Sequence, residues 1–129
     1  MITTTDIANI LYRDCKSFGI EIVPQGQTIV GVLKNERIVI HTKKQQSGVI
    51  WRKSFAEVNL CVPDIQNEAN TIRLNQLERV ADKQFDDVVN NYDNTNYRYS
   101  IESIGMEQDA SLKCHYVNVR ILFEVLNVK

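Results

Sequence analysis

Hydrophobic positions along the chain change their period several times, and each change marks an element. Ile7, Ile10, Leu11, Cys15 and Phe18 recur at helical spacing, which predicts an opening helix of about four turns with one apolar stripe. Thr3, Thr4 or Thr5 can cap its free N–H groups, and Asp6 places a negative charge in its first turn. Gly19 is a natural terminator, because glycine readily takes the left-handed conformation that closes a helix.

From Ile20 to Val62 the period falls to two. It predicts short strands over Ile20–Val23, Thr28–Leu33 and Arg37–Lys43 and a long strand over Val49–Val62. Pro24-Gln25-Gly26, Lys34-Asn35-Glu36 and Gln45-Gln46-Ser47-Gly48 supply turn chemistry between them. In the long strand Ala56, Val58, Leu60 and Val62 point one way while Glu57 and Asn59 point the other. That alternation predicts a sheet with one buried and one partly wet face.

Pro63-Asp64 ends the sheet run, and a second helix is expected from Asn67 to Asn90. Its apolar face is Ala69, Ile72, Leu77, Val80, Ala81, Phe85 and Val88, and its charged face is Arg73, Glu78, Arg79, Asp82, Lys83 and Asp86. Asn90–Asn96 reads as a polar loop. Strands over Tyr97–Glu107 and Leu112–Leu126 then close the chain as a hairpin through Gln108-Asp109-Ala110-Ser111. In the last strand Val117, Val119, Ile121 and Phe123 line one face, but Tyr116 and Leu122 lie on the other. A strand apolar on both sides is central or has its second face covered, and a neighbouring subunit is one candidate cover. The expected class is α+β: one domain over residues 1–129 with a mixed, mostly antiparallel sheet and two amphipathic helices in the order α-β-β-β-β-α-β-β.

Composition adds bounds. The chain has 129 residues, 43% hydrophobic and 24% charged, with a net charge of −1. That length suits one hydrophobic core. The charge balance lacks the basic excess of a dedicated nucleic-acid binder, so no sequence-specific nucleic acid is expected as a partner. The first residues carry no secretory pattern, and no stretch approaches a membrane span. Cys15, Cys61 and Cys114 are far apart and odd in number, which suits buried thiols in a reducing cytoplasm.

Catalytic constellations are absent from the sequence pattern. No Cys-x-x-Cys, His-x-x-x-His, calcium loop, phosphate-binding loop or nucleophile elbow occurs. Cys114 and His115 are adjacent, so on a strand they face opposite ways, and a shared metal would need His41 or Cys61 as well. Cys61, His41 and Asp64 supply the residue types of a thiol hydrolase, but nothing local gathers them, and an apolar run raises the thiol pKa. No catalytic residue, metal or cofactor is therefore assigned. The remaining feature is a basic cluster, Lys43 and Lys44 before a turn and Arg52 and Lys53 after it, with an exposed Trp51 between. Such a cluster either engages an acidic surface or phosphates, or blunts a sheet edge against aggregation. With the wet-face residues Glu57 and Asn59 it forms the candidate interface.

The order of elements resembles the tail-terminator, or tail-completion, proteins of long-tailed bacteriophages. The matching parts are the helix Asp6–Phe18, the run Ser54-Phe55-Ala56-Glu57-Val58-Asn59-Leu60-Cys61-Val62-Pro63, the helix Glu68–Phe85 and the closing strand Cys114–Leu126. The resemblance covers nearly the whole chain and rests on element order and patterning. It implies a non-enzymatic virion protein, made in the host cytoplasm, that assembles on itself as a ring, typically a hexamer. Such a ring caps the tail tube protein, halts tube growth and presents a docking surface to the head connector protein. The near-neutral charge departs from the acidic lumen common in those rings. Two other readings stand beside it: a head-tail connector or other neck protein, and a small bacterial ligand-binding or enzymatic domain with its pocket between the long helix and the sheet.

Overall fold

A computed structural model describes residues 1–127. Helix α1 spans Thr4–Cys15. Thr3 is its N-cap: the Thr3 hydroxyl accepts from the Asp6 N–H at 3.1 Å while the Asp6 carboxylate accepts from the Thr3 N–H at 2.9 Å. This reciprocal pair satisfies free donors at the helix start. A short turn, Lys16–Phe18, follows and ends at Gly19, whose φ of +68° is left-handed. Ile7, Ala8, Ile10, Leu11 and Cys15 are buried.

Five strands make one sheet: β1 (Arg37–Thr42), β2 (Trp51–Pro63), β3 (Val88–Tyr92), β4 (Thr95–Asp109) and β5 (Cys114–Leu126). Their spatial order is β1-β2-β5-β4-β3, and all neighbours are antiparallel. Among the described residues the one parallel pairing is an isolated bridge from Ile22 to Ile38 on the outer side of β1. The α+β class, the two helices and the mostly antiparallel sheet are as the sequence leads one to expect. Strand β5 is central, which explains its apolar residues on both faces.

Four segments differ from expectation in detail. Ile20–Val23 contributes that single bridge, with Val23 donating to the Ile38 carbonyl and Ile38 to that of Glu21. Thr28–Leu33 forms no strand; Gly26 and Gly31 have positive φ and turn the chain across one end of the sheet, where Leu33 donates to the Leu112 carbonyl at 2.9 Å. Helix α2 is Thr71–Gln84, shorter at both ends than the Asn67–Asn90 expected, with Asn70 as N-cap. Past its end, Asp87 takes positive φ and turns the chain into β3. The expected polar loop Asn90–Asn96 is in fact the β3–β4 hairpin, closed by Asp93 and Asn94, both with positive φ as a tight hairpin turn requires.

Both helices cover one face of the sheet. Leu74, Leu77, Ala81 and Phe85 pack onto Ala56, Val58, Leu60, Val119, Ile121 and Phe123 in one core. Ile72 and Val80, expected on that face, are exposed at 75% and 50%, since α2 is rotated to bury Leu74 instead. Arg73 is not a freely solvated cation either: it grips both Glu36 oxygens, Nε at 2.7 Å and Nη2 at 2.9 Å. That pair ties α2 to the segment leading into β1.

Candidate interface on the open sheet face

Among the described residues no helix lies over the opposite face. Strand alternation and register set its rows: Trp51 stands beside Leu126, Lys53 beside Glu124, Phe55 beside Leu122, Glu57 beside Arg120, Asn59 beside Asn118 and Cys61 beside Tyr116. Trp51, Phe55, Tyr116, Leu122 and Leu126 are half-buried, and cations lie over the first two. The Arg98 guanidinium stacks on the Trp51 ring at 4.0 Å and that of Arg120 on Phe55 at 4.3 Å. Glu124 anchors the first stack, taking Arg98 Nε at 3.2 Å and Lys53 Nζ at 3.7 Å. Glu102 lies 3.3 Å from Arg120 Nε, off the line of a hydrogen bond, so that buried N–H is left without an acceptor. Asn118 donates to Asn59 at 2.7 Å.

Of the seven candidate interface residues, Trp51, Lys53, Glu57 and Asn59 therefore share this face. Arg52 does not: it pairs with Val125 and belongs to the helix-covered side, at the end of the sheet. Lys43 and Lys44 are exposed in the β1–β2 connection. Trp51, expected to be exposed, is half-buried under Arg98. Arg98, Arg120, Phe55 and Leu122 belong to the same surface but escaped notice as site residues. Only the strand register brings Arg98 to Trp51.

At the other end of this face the Ile29–Leu33 stretch serves as a lid. Leu33, Cys61 and Cys114 form a second buried cluster with Ile29, Val39, Leu112 and Tyr116 around it. Part of the cover expected from a neighbour thus comes from the chain itself. A groove of about 330 Å³ opens beside the cluster, lined by His41, Asn59, Cys61, Asp109 and Cys114 among others. Burial pushes the Cys61 thiol up to about 12 and the Cys114 thiol up to about 11, so both stay protonated and unreactive at neutral pH.

No family model matches the sequence, and no curated protein does. One solved structure aligns over 100% of this chain and 99% of its own, at a TM-score of 0.58 and 12% identity. Its name states no function. That likeness shows the fold alone.

The sequence-level candidates for chemistry are dispersed by the fold. Asp64 sits not with Cys61 and His41 but against His115 Nδ1, at 2.7 Å, on the strand side facing away from Cys114. This pair went unrecognised because only the β2–β5 register, which places His115 beside Val62, brings it together. An oriented imidazole of this kind is half of a nucleophile-activating arrangement, and the three cysteines lie elsewhere in buried clusters. Among the described residues no group of three His, Cys, Asp or Glu side chains could hold a metal ion. No described helix is long and apolar enough to cross a membrane.

A polar network closes the far side of the helix layer. Tyr99 donates to Asp14 Oδ2 at 2.7 Å, Arg13 donates to the Tyr97 hydroxyl at 2.9 Å, and Gln84 donates to the Asp14 carbonyl. Burial first, and then the bond to Asp14, raises the Tyr99 pKa. The network joins α1, α2 and β4 and bounds a cleft lined by Asp14, Ser17, Gln84, Val88, Asn90 and Tyr99.

Proposed function

We propose that this chain is a ring-forming subunit of the bacteriophage tail-terminator kind, which caps a tail tube and offers a docking surface to the head connector. The observation that carries the reading is the helix-free sheet face, where Trp51, Phe55, Leu122 and Leu126 lie half-buried between Arg98, Arg120 and Glu124. Aromatic rings with arginines at the centre of a patch are the composition of protein–protein contact cores. A face of this make-up, left open by the chain's own helices, is suited to a protein neighbour. The element order supports the same reading, as does the absence of a gathered nucleophile, base and orienting group among the described residues.

In this reading the protein works in the virion neck, without catalysis and without a cofactor. Its neighbours are other copies of itself, the tube protein below and the connector above. A neck protein of another kind would use the same face with a different neighbour. A small ligand-binding domain would instead use the groove beside His41, Cys61 and Cys114, away from the helix–sheet interface, which is filled by Leu74, Leu77 and Phe85.

The test is light scattering on the purified protein over a range of concentrations, alone and with the tube protein of the same gene cluster. Closed oligomers that bind tube ends, and overlong tails when the gene is deleted, are expected. A protein that stays monomeric alone and with tubes, and whose deletion leaves tail length unchanged, rules the reading out.

A further inference from the structure

Strand β4 runs from Thr95 to Asp109, but β3 pairs only with its first part, Thr95–Tyr99. From Glu102 to Asp109 the strand keeps β5 on one side. On its other side no backbone hydrogen bond forms among the described residues. An unpaired edge is a template for another strand, and soluble proteins usually blunt one with lysine, proline or a bulge. Here a register shift between Ile101 and Ser103 interrupts the ladder where the free part begins, but nothing basic and no proline follows. The free edge carries Glu102, Glu107 and Asp109 instead, with Met106 exposed at 50%.

The opposite margin of the sheet has the complementary character. Past the end of β1 the chain continues along β2, with Lys43 donating to the Phe55 carbonyl and Gln46 exchanging both backbone bonds with Lys53. Beyond Gln46 the chain turns back into β2, where the Ile50 carbonyl already accepts from the Asn127 N–H at 2.7 Å, so the edge on this margin is Lys43–Gln46. That edge carries Lys43 and Lys44 with no acidic residue, and the turn beyond it leaves Val49 and Ile50 exposed at 94% and 60%. Because β1 and β4 lie toward opposite margins of the sheet, the two patches differ. A contact between different patches is head-to-tail, the kind that closes into a ring when the rotation allows.

We infer that the acidic free edge of β4, Glu102–Asp109, takes the basic Lys43–Gln46 edge of a second copy of this chain as an added strand. Backbone bonds across the edge supply the register. An antiparallel register that sets Lys44 against Glu107 lays the basic pair along Glu107–Asp109 and brings Gln45 opposite Met106. The inference rests on the ring reading above and says which surfaces would close the ring.

Cross-linking tests it, with the native thiols buried and therefore silent. Gln45→Cys and Met106→Cys proteins are prepared separately, mixed at a concentration where light scattering shows oligomer, and oxidised with diamide. A disulfide-linked dimer that appears in the mixture and in neither protein alone is expected. Met106→Cys protein that links to itself would mean edge-to-edge pairing about a two-fold axis and would overturn the proposal. So would a mixture that stays unlinked while the oligomer is intact, which leaves the ring reading standing. Monomers throughout, alone and with tube protein, remove both. As an independent arm, Glu107→Lys should abolish the oligomer at low salt and Lys44→Glu should restore it in the paired variant. An unaffected Glu107→Lys oligomer counts against the contact.

Discussion

Arg98 lies over the Trp51 ring, its guanidinium carbon 4.0 Å from the ring centroid, and Glu124, its partner on the neighbouring strand, holds it there at 3.2 Å. The contact spans the central strand: Trp51 belongs to β2 and Arg98 to β4, each paired with a residue of β5. A cation held over an indole at a partly exposed site contributes about 0.5–1 kcal/mol. A double-mutant cycle with Trp51→Ala and Arg98→Ala, read by urea unfolding, should return a coupling of about that size. Trp51→Ala alone is expected to keep the fold while weakening the self-association proposed above. Zero coupling would mean that the stack does not persist in solution.

The orientation of α2 is tested by contrast. Leu77 is 3% exposed and Ile72 is 75% exposed on the same helix. Leu77→Ala should cost about 2–5 kcal/mol, as for other buried leucines. Ile72→Ala should stay within about 0.5 kcal/mol, the usual range for surface changes. Equal costs at the two positions would mean that the helix is rotated from the placement described.

What could be read from the sequence follows how local its cause is. Helix α1 was legible because the Thr3–Asp6 cap and the Ile7-to-Cys15 stripe are short-range features. Strand β5 was legible because its alternation runs unbroken. Strand β3 was not: Val88–Tyr92 is an edge strand with no fully buried residue, its asparagines imitate a loop, and its turn uses Asp93-Asn94 without a glycine. The overlong second helix has the same origin, since Asp87, not glycine, takes the positive φ that turns the chain beyond the helix. Most of the candidate site depends on pairings between distant segments. Arg98 with Trp51 and His115 with Asp64 are set by sheet register, which no local pattern encodes.

Tyr99 offers a test of the helix-to-sheet network. Its hydroxyl donates to Asp14 at 2.7 Å, while its ring packs between Phe85 and Phe123. Tyr99→Phe keeps the ring and leaves the Asp14 carboxylate short of a donor, so a loss of about 1–3 kcal/mol is expected. Asp14→Asn retains an acceptor for the same hydroxyl and should cost less. The urea midpoints of the two variants decide, and the reverse order would place the tie elsewhere.

The buried thiols give the fold a defined weakness at alkaline pH. Burial raises Cys15 and Cys61 to about 12 and Cys114 to about 11, whereas a thiol in the unfolded chain titrates near 8.5. A group whose folded pKa is raised stabilises the fold fully below its unfolded pKa, and that stabilisation is lost as pH climbs toward the folded value. The window is therefore about pH 9 to 12, with the protein at full strength at neutral pH. Inside it the unfolded chain has released a proton that the folded one still holds, so each thiol adds a slope of at most about −1.4 kcal/mol per pH unit. Urea unfolding at stepped pH should show this decline, and a Cys61→Ala, Cys114→Ala protein should show a shallower one even though its stability at neutral pH is lower. Labelling with an aromatic disulfide reagent at pH near 8 supplies the second reading. All three cysteines are expected to resist it in the native state and to react at once in urea. Rapid labelling of Cys61 or Cys114 in the native protein would show that the Ile29–Leu33 lid opens readily, and the alkaline slope of the two proteins would then be the same.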